Sequence, residues 1–277
     1  MFLPLSAQSN EQTSAASLLD RALQNLYEDD FIQTMTLATQ SGSGKEMRRR
    51  LQLTRRQSVR PGKALLRFLY PETIRGTAVL VLENEERSDD LFVYLPAVRL
   101  TRRLSSSQRG DSFFGTDLSY EDVEPKRISD YNVDWASDED VTPSQLADAT
   151  NAGCTLLDVR GTTDFDSAYD RQVTCVETAR SIIIWTDYYR SGKFLKRLSL
   201  DPADVRMVGD RHIPFLITVE TPQRHSITKV ITETYELRAK ISDRLFDTWN
   251  LSAGDIKSDR RKSKPMPEPP EPNNEGL

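Results

Sequence analysis

Residues 64–96 of the chain, ALLRFLYPETIRGTAVLVLENEERSDDLFVYLP, contain three short runs rich in leucine, β-branched and aromatic residues. Proline, glycine, asparagine and aspartate separate the runs, which is the pattern of strands joined by turns. In the middle run Ala78, Leu80 and Leu82 share one face of a strand, whereas Val79 and Val81 share the other. This strand is therefore apolar on both sides, unlike the strands of a sheet that faces water on one side.

Similar runs occur before and after this stretch, with short links between them. They are FIQTMTLATQ (31–40), EMRRRLQLTRR (46–56), VRLTRRLSS (98–106), CTLLDV (154–159), SIIIWTDYY (181–189), FLKRLSL (194–200), HIPFLITVET (212–221) and SITKVITETYEL (226–237). Successive strands with short links predict an antiparallel meander.

Two segments show helical patterns. Between residues 14 and 28 the apolar residues recur every three or four positions, which predicts an amphipathic helix with one buried stripe. In TPSQLADATNAG (142–153), Thr142 is a predicted N-cap, Gln145 completes a capping box and Gly153 is a stop.

Two helices are too few to cover a large sheet on both faces. We therefore expect the sheet to curl around its own interior, with the helices closing the opening. The sequence predicts a mainly β (α+β) fold with a helical lid, in which an unclosed antiparallel β-barrel, or half-barrel, encloses an apolar cavity.

The overall charge argues against a general polyanion binder, because 37 basic and 42 acidic side chains give a formal net charge of -5 over 277 residues. The most basic stretch, KEMRRRLQLTRRQSVR (45–60), sends Arg48 and Arg50 to one side of a strand and Leu51 and Leu53 to the other. No aromatic residues are interleaved there to stack on bases. We predict no nucleic-acid partner, while a protein partner or anionic headgroups remain open for this face.

The two ends of the chain differ from the middle. MFLPLSAQSNEQ (1–12) resembles the tail of a secretory signal without its basic region, and an ordinary unstructured terminus is the alternative. Residues 257–277 lack apolar periodicity and are expected to be disordered. One domain is therefore predicted over residues 13–256.

Cys154 and Cys175 are the two cysteines of the chain. An even pair in an exported protein indicates one disulfide, and two buried free thiols are the alternative. The pair lacks the C-x-x-C spacing of a zinc or redox site.

Motifs for catalysis are incomplete. SGSGKEM (41–47) lacks the glycine and the serine or threonine that a Walker A loop requires. GDSFFG (110–115) carries the Gly-Asp-Ser of one esterase family, but neither His212 nor His225 follows an aspartate by three residues, as that family's dyad requires. We predict no catalytic residue, no metal site and no cofactor.

The loop after the sixth predicted strand combines arginines with carboxylates. We expect opposite charges to fix its register, with Phe113 and Phe114 anchoring the loop on the barrel. The arginines are Arg99, Arg102, Arg103 and Arg109, and the acids are Asp117, Glu121 and Asp122.

Four stretches resemble the outer-membrane lipoprotein-sorting (LolA/LolB-like) family of Gram-negative bacteria. They are FLYPETIRGTAVLVLE (68–83), VYLPAVRLTRRLSSSQRGDSFFGTDLSYEDV (93–123), YYRSGKFLKRLSL (188–200) and ISDRLFDTWNL (241–251). The signature residues, in order and at family-like spacing, are Pro71, Arg75-Gly76-Thr77, Leu95-Pro96, Arg102-Arg103, Phe114-Gly115, Asp117 and Tyr120-Glu121-Asp122. The resemblance runs from about residue 16 to residue 252 and is looser in the second half.

This resemblance implies a function. It implies a soluble, monomeric periplasmic carrier that holds the acyl chains of a lipoprotein or another lipid and shuttles them towards the outer membrane. Members of this longer branch resemble proteins encoded beside RND-type exporters, so an inner-membrane RND-type transporter is an implied partner. The family carries no catalytic residues.

Nine residues on the predicted strands are candidates for lining the cavity, although plain core packing is an alternative for each of them. They are Leu66, Phe68, Leu80, Leu82, Val93, Leu95, Ile183, Trp185 and Phe215. The lid and loop candidates are Leu18, Leu19, Leu23, Phe113 and Phe114.

Two other classes of function compete with the carrier. A ligand-free docking module of a membrane transporter complex would have a solid interior, whereas a carrier needs a hollow one. An enzyme would need a cleft that brings His212 or His225 to a carboxylate with a perturbed pKa.

Overall fold

A computed structural model describes residues 14–238 and 240–252. The predicted signal remnant (1–12) and the predicted disordered tail (257–277) lie outside the described residues. The helices are α1 (Ala15–Tyr27) and α2 (Pro143–Ala152). The strands are β1 (Phe31–Gln40), β2 (Glu46–Arg56), β3 (Lys63–Tyr70), β4 (Ala78–Leu82), β5 (Asp90–Leu95), β6 (Leu100–Arg103), β7 (Tyr131–Trp135), β8 (Thr155–Gly161), β9 (Arg171–Glu177), β10 (Ile182–Arg190), β11 (Lys193–Ser199), β12 (Val205–Val208), β13 (Arg211–Pro214), β14 (Leu216–Thr221) and β15 (Ser226–Leu237).

One antiparallel sheet of 13 strands dominates the described residues, in the order β6-β5-β4-β3-β2-β1-β15-β14-β11-β10-β9-β8-β7. Its edges, β6 and β7, do not pair with each other, so the sheet is not closed. The predicted unclosed half-barrel is therefore confirmed. The first and last strands meet in the middle of the sheet, from Phe31 opposite Leu237 to Gln40 opposite Ile227.

Most predicted strands are present, with three additions and one division. The sequence patterns did not indicate β7, β9 or β12. The predicted strand HIPFLITVET divides at Phe215, and its first part, β13, pairs with β12 as a separate hairpin. Pro214 is the last residue of β13, and the Phe215 N–H that follows it donates to the Asp204 carbonyl at 2.9 Å.

Both predicted helices are confirmed, and their caps follow the sequence. The Ser14 hydroxyl accepts a hydrogen bond from the Ser17 N–H at the start of α1. Thr142 and Gln145 form the capping box of α2, and Gly153 ends that helix with a φ of 61°.

The two apolar faces of β3, β4 and β5 are both covered. The face toward the interior, called the inner face below, packs around Phe113, and the outer face packs under the short turns between Asp243 and Leu251. The inner group includes Leu66, Phe68, Val79, Val81, Leu91 and Val93, and the outer group includes Leu65, Ala78, Leu80, Tyr94, Phe246 and Leu251. The inner face is apolar because it lines the interior of the curled sheet. The outer face is apolar because the turns between Asp243 and Leu251 cover it.

Only one of the two helices covers the opening of the half-barrel. Helix α1 packs on β7, β8 and β9 through Leu18, Leu157 and Val176. Helix α2 lies on the outer face of β8–β10, where Ala149 packs in one cluster with Trp185. The expectation that both helices act as lids is therefore wrong for α2.

The loop after β6 is anchored by its phenylalanines, as expected. Phe113 and Phe114 pack against Phe68 and Tyr120, with ring centroids 4.6–6.0 Å apart. Phe114 and Gly115 have φ values of 50° and 76°, a left-handed turn that favours glycine at the second position.

The charges of this loop do not pair as expected. Arg103 binds Asp90, and Arg109 binds Glu124 at 2.7 Å, instead of the predicted acids. Asp122 binds Lys196 across the sheet. The remaining two acids take hydroxyl partners: Asp117 accepts from Thr228 at 2.7 Å and Glu121 from Ser167 at 2.7 Å. The side chains of the three acids are buried, whereas the arginines of β6 lie on an exposed edge strand, so the two groups do not meet.

Candidate ligand cavity

A cavity of about 250 Å³ lies between the inner face of the sheet and α1. In the order of the sheet, every strand from β3 through β1 and β15 to β7 contributes residues to its wall. The sheet therefore curves around the cavity. The apolar part of the wall includes Leu19, Leu23, Phe31, Met35, Leu53, Leu66, Val159, Ile183, Leu198, Ile217 and Val230.

Polar contacts at the C-terminal end of α1 hold the helix over the cavity. The Asn25 amide donates to the Ser181 carbonyl at 2.7 Å, and its oxygen accepts from the His212 N–H at 3.3 Å. The Tyr27 carbonyl accepts from Arg55 Nε at 2.8 Å. These bonds tie the lid to the β9–β10 turn, to the β12–β13 hairpin and to β2.

One end of the cavity is polar. Tyr27, Tyr131, Tyr188, Asp122 and Lys126 all border it. Burial raises the pKa of each of the three phenols, so their hydroxyls stay protonated. The Lys126 ammonium donates to the Glu121 carbonyl oxygen.

The Asp122 carboxylate has a full set of partners. It binds the Lys196 ammonium and accepts from the Ser119 N–H at 2.6 Å and from the Tyr169 hydroxyl at 2.8 Å. Burial raises the pKa of Asp122, but Lys196 and Lys126 lower it by more, so the net shift is downward. Asp122 is therefore ionised and neutralised in place.

Two of the nine predicted cavity residues, Leu66 and Ile183, border the cavity. Phe68, Val93 and Leu95 lie on the same inner face, but they pack against the core around Phe113 beyond the end of the hollow. The structure thus brings five predicted residues to the correct face and two of them to the cavity wall.

The prediction is wrong for the other four residues. Leu80 and Leu82 lie on the outer face beneath the C-terminal turns, because the two apolar faces of β4 could not be told apart from sequence. Trp185 lies on the outer face under α2, because a bulge between Ile183 and Trp185 adds one residue and reverses the alternation. Phe215 follows β13 and stacks on Arg206, with the guanidinium carbon 4.1 Å from the ring centroid, and does not border the cavity.

The lid candidates divide in the same way. Leu19 and Leu23 border the cavity, while Leu18 packs against the sheet beside them. Phe113 and Phe114 belong to the packed inner core and do not cover the hollow.

Sequence reasoning missed most of the cavity wall. Period-two alternation in β1 marks Phe31, Gln33 and Met35 as one face, which was a usable signal. Lys126 and Tyr131 had no signal, because they lie in and after a loop whose path depends on the fold.

Cys154 and Cys175 are joined by a disulfide in the structure, with their Cα atoms 5.6 Å apart. Cys154 follows α2 and Cys175 lies in β9. The bridge therefore fastens the end of the outer helix to the sheet.

Residues 14–238 and 240–252 contain no group of three or more side chains placed to hold a metal ion. In the same part of the chain, neither helix has the length and apolar character needed to cross a bilayer.

The fold is similar to that of several solved structures. A DUF1329 family protein from Desulfovibrio piger matches with a TM-score of 0.74 and 24% identity, over 86% of this chain and 97% of that one. A candidate outer membrane lipoprotein-sorting protein domain from Vibrio parahaemolyticus matches with a TM-score of 0.73 and 22% identity, over 86% and 98%. A LolA superfamily protein from Nitrosomonas europaea matches with a TM-score of 0.65 and 19% identity, over 84% and 97%.

A family model with the description "Uncharacterized protein" matches residues 61–253, well over half of the chain. The chain belongs to the family that this model describes. The resemblance to lipoprotein-sorting proteins is confirmed at the level of the fold. No match was found among curated proteins.

Proposed function

We propose that this protein is a non-enzymatic carrier that binds the acyl chain of a lipid or lipoprotein in its cavity. The observation that carries the proposal is the hollow of about 250 Å³ between the inner face and α1, with a largely apolar wall. A ligand-free docking module would have no need of such a hollow, so the cavity favours the carrier.

The energetics of an acyl chain require a container of this kind. Each methylene group removed from water contributes about 0.8 kcal/mol of favourable free energy. Moving a chain of about sixteen carbons out of the cavity into water therefore costs on the order of 10 kcal/mol. Small-molecule sites span about 300–1,000 Å³, so a hollow of about 250 Å³, which is below that range, must widen to hold a whole chain. Helix α1 supplies the movable wall, because it covers the cavity from one side.

The route of the cargo belongs to the same proposal. The carrier acts in the periplasm as a soluble monomer and moves its ligand towards the outer membrane, with an inner-membrane RND-type transporter as partner. The lipoprotein-sorting description of the Vibrio relative and the sequence resemblance support this direction.

The proposal is tested by filling the cavity. Ile217 lies on β14 and borders the cavity, so Ile217→Trp places a large ring in the space meant for the chain. We expect a fluorescent fatty-acid analogue to bind the wild type and to bind Ile217→Trp about tenfold more weakly, since overfilling costs 1–3 kcal/mol. Native mass spectrometry of detergent-free protein should show copurifying lipid in the wild type.

The matched control is Ile227→Trp. Ile227 lies on β15 and is exposed, so the same substitution should leave binding unchanged. Absence of both copurifying lipid and analogue binding in the wild type would rule out the carrier.

A further inference from the structure

We propose that the polar end of the cavity is a headgroup site for an anionic amphiphile, with Lys126 as its cation and the hydroxyls of Tyr27, Tyr131 and Tyr188 as hydrogen-bond donors. This inference rests on the proposed function, because it specifies the chemical class of ligand that the cavity carries. The headgroup is a carboxylate or a phosphate, and the acyl chain extends from it along the apolar wall.

Lys126 differs from the other cations buried in the half-barrel. Arg55 pairs with Glu83 at 2.9 Å, Arg109 pairs with Glu124 at 2.7 Å, and Lys196 pairs with Asp122. No carboxylate oxygen of the described residues lies within ion-pair distance of the Lys126 ammonium, which donates to one backbone carbonyl. An ammonium has three N–H donors, so two remain for a ligand.

Three tyrosines on the same cavity wall supply further donors. Tyr27, Tyr131 and Tyr188 each interact electrostatically with Lys126 and border the same cavity. Within residues 14–238 and 240–252 no hydrogen bond to any of the three hydroxyls is present. Four donor groups on the wall of one hollow, without protein acceptors for the three hydroxyls, are suited to a ligand that carries acceptor oxygens.

The carboxylates nearby are already occupied. Asp122 is held by Lys196 and Tyr169, and Glu121 accepts from the Ser167 hydroxyl and the Ala168 N–H. Glu124 is held by Arg109. Asp122 and Glu121 balance the buried charge of the region without contacting the Lys126 ammonium.

The ammonium remains charged in this setting. Burial lowers the pKa of Lys126, but acidic neighbours, among them the Glu121 carboxylate, raise it by more, so the net shift is upward. Charge-assisted hydrogen bonds to an ionised headgroup are about twice as strong as neutral ones. The site should therefore prefer an anionic headgroup to a hydroxyl on the same chain.

The test compares three ligands that share one sixteen-carbon chain: hexadecanoate, 1-hexadecanoyl lysophosphatidate and 1-hexadecanol. Each displaces the neutral probe N-phenyl-1-naphthylamine from the wild type and from Lys126→Met. We expect the wild type to bind at least one of the two anions about tenfold more tightly than the alcohol, and Lys126→Met to lose that preference while it still binds the probe. The anion that is preferred identifies a carboxylate or a phosphate as the headgroup.

Lys45→Met is the matched control, because Lys45 lies exposed between β1 and β2. It should keep the preference. If Lys126→Met does not fold, Tyr131→Phe decides, since it removes one hydroxyl and keeps the ring that packs on Phe165; it should reduce the preference about threefold.

The possible outcomes separate this inference from the proposed function. Equal affinity for anions and alcohol in the wild type, or a preference that survives in Lys126→Met, overturns the headgroup site and leaves the carrier intact. Failure of the wild type to bind the probe and all three ligands overturns the carrier itself.

Discussion

The buried carboxyl group of Glu124 has a pKa that its surroundings shift. It makes one contact of 2.7 Å with Arg109, while Glu124 Oε1 and Arg109 Nη1 have no hydrogen-bond partner among the described residues. Burial raises the pKa of Glu124 from 4.5 to about 8, and Arg109 and Lys126 counter only part of that rise. The like charges of Glu121 and Asp89 add to it.

The pKa of Glu124 makes stability fall as pH rises. Between 4.5 and about 8 the folded protein binds more protons than the unfolded chain, so the free energy of unfolding drops by at most about 1.4 kcal/mol per pH unit in that window. Glu124→Gln removes this dependence, and we expect the variant to gain on the wild type as pH rises. Urea unfolding at pH 5, 7 and 9 measures the difference, and a difference that is the same at all three pH values would contradict the assignment.

Individual residues also show where prediction from sequence ends. Leu19 and Leu23 could be assigned to the lid because the spacing of apolar residues in the sequence already shows which side of the helix is buried. Trp185 could not be placed, because one bulged residue in β10 reverses every side chain that follows it. Lys126 could not be found, because its position depends on long-range contacts of a loop.

At the scale of elements, helix α2 acts as an outer brace. It covers the outer face of β8–β10, and the disulfide between Cys154 and Cys175 fastens its end to β9. The N-cap, capping box and C-terminal glycine of α2 were all predictable from local sequence. The side of the sheet on which α2 packs was not, because its apolar residues fit either face.

Removing this disulfide should weaken the brace without affecting the lid. A bridge that closes a loop of this size contributes about 3 kcal/mol, with cysteines 21 residues apart in sequence. We expect a Cys154→Ala/Cys175→Ala double variant to lose about that much unfolding free energy in urea. The reductant dithiothreitol should destabilise the wild type and leave the double variant unaffected; an equal response of both proteins would contradict the bridge.

Strand β9 has polar residues on its inner face and apolar residues on its outer face. Gln172 and Thr174 border the cavity, whereas Val173 and Cys175 face outward under α2. An apolar outer face and a mixed inner face are the reverse of the usual pattern of a water-facing sheet. The period-two alternation was a usable signal for the strand, but which face points inward depends on the cavity and on α2.

At the scale of the whole molecule, the architecture could be predicted from the sequence, but the size of the cavity could not. Period-two runs and short links predicted the antiparallel half-barrel, because strand pairing between neighbours in sequence is local. The size of the hollow was not predictable, because it is set by how far α1 stands from Ile217 and Val230 across the sheet.

Ligand binding should be visible as a difference between the two helices. Helix α1 and the β12–β13 hairpin border the cavity, whereas no residue of α2 does. With fatty acid present at a hundred times its dissociation constant, binding adds about 2.7 kcal/mol of stability, so amide exchange in α1 should slow by up to about a hundredfold. Hydrogen-exchange mass spectrometry measures this, with α2 as the internal control. Equal slowing of both helices would show that α1 is not the movable wall.

The pairing of β1 with β15 determines when the sheet can be completed. One long edge of β1 pairs only with residues 226–237, the last of the described strands in sequence. Until this pairing forms, the chain exposes an unpaired strand edge that can aggregate with other chains. The apolar interior therefore cannot close around a ligand before the segment that ends at Leu237 has folded into the sheet.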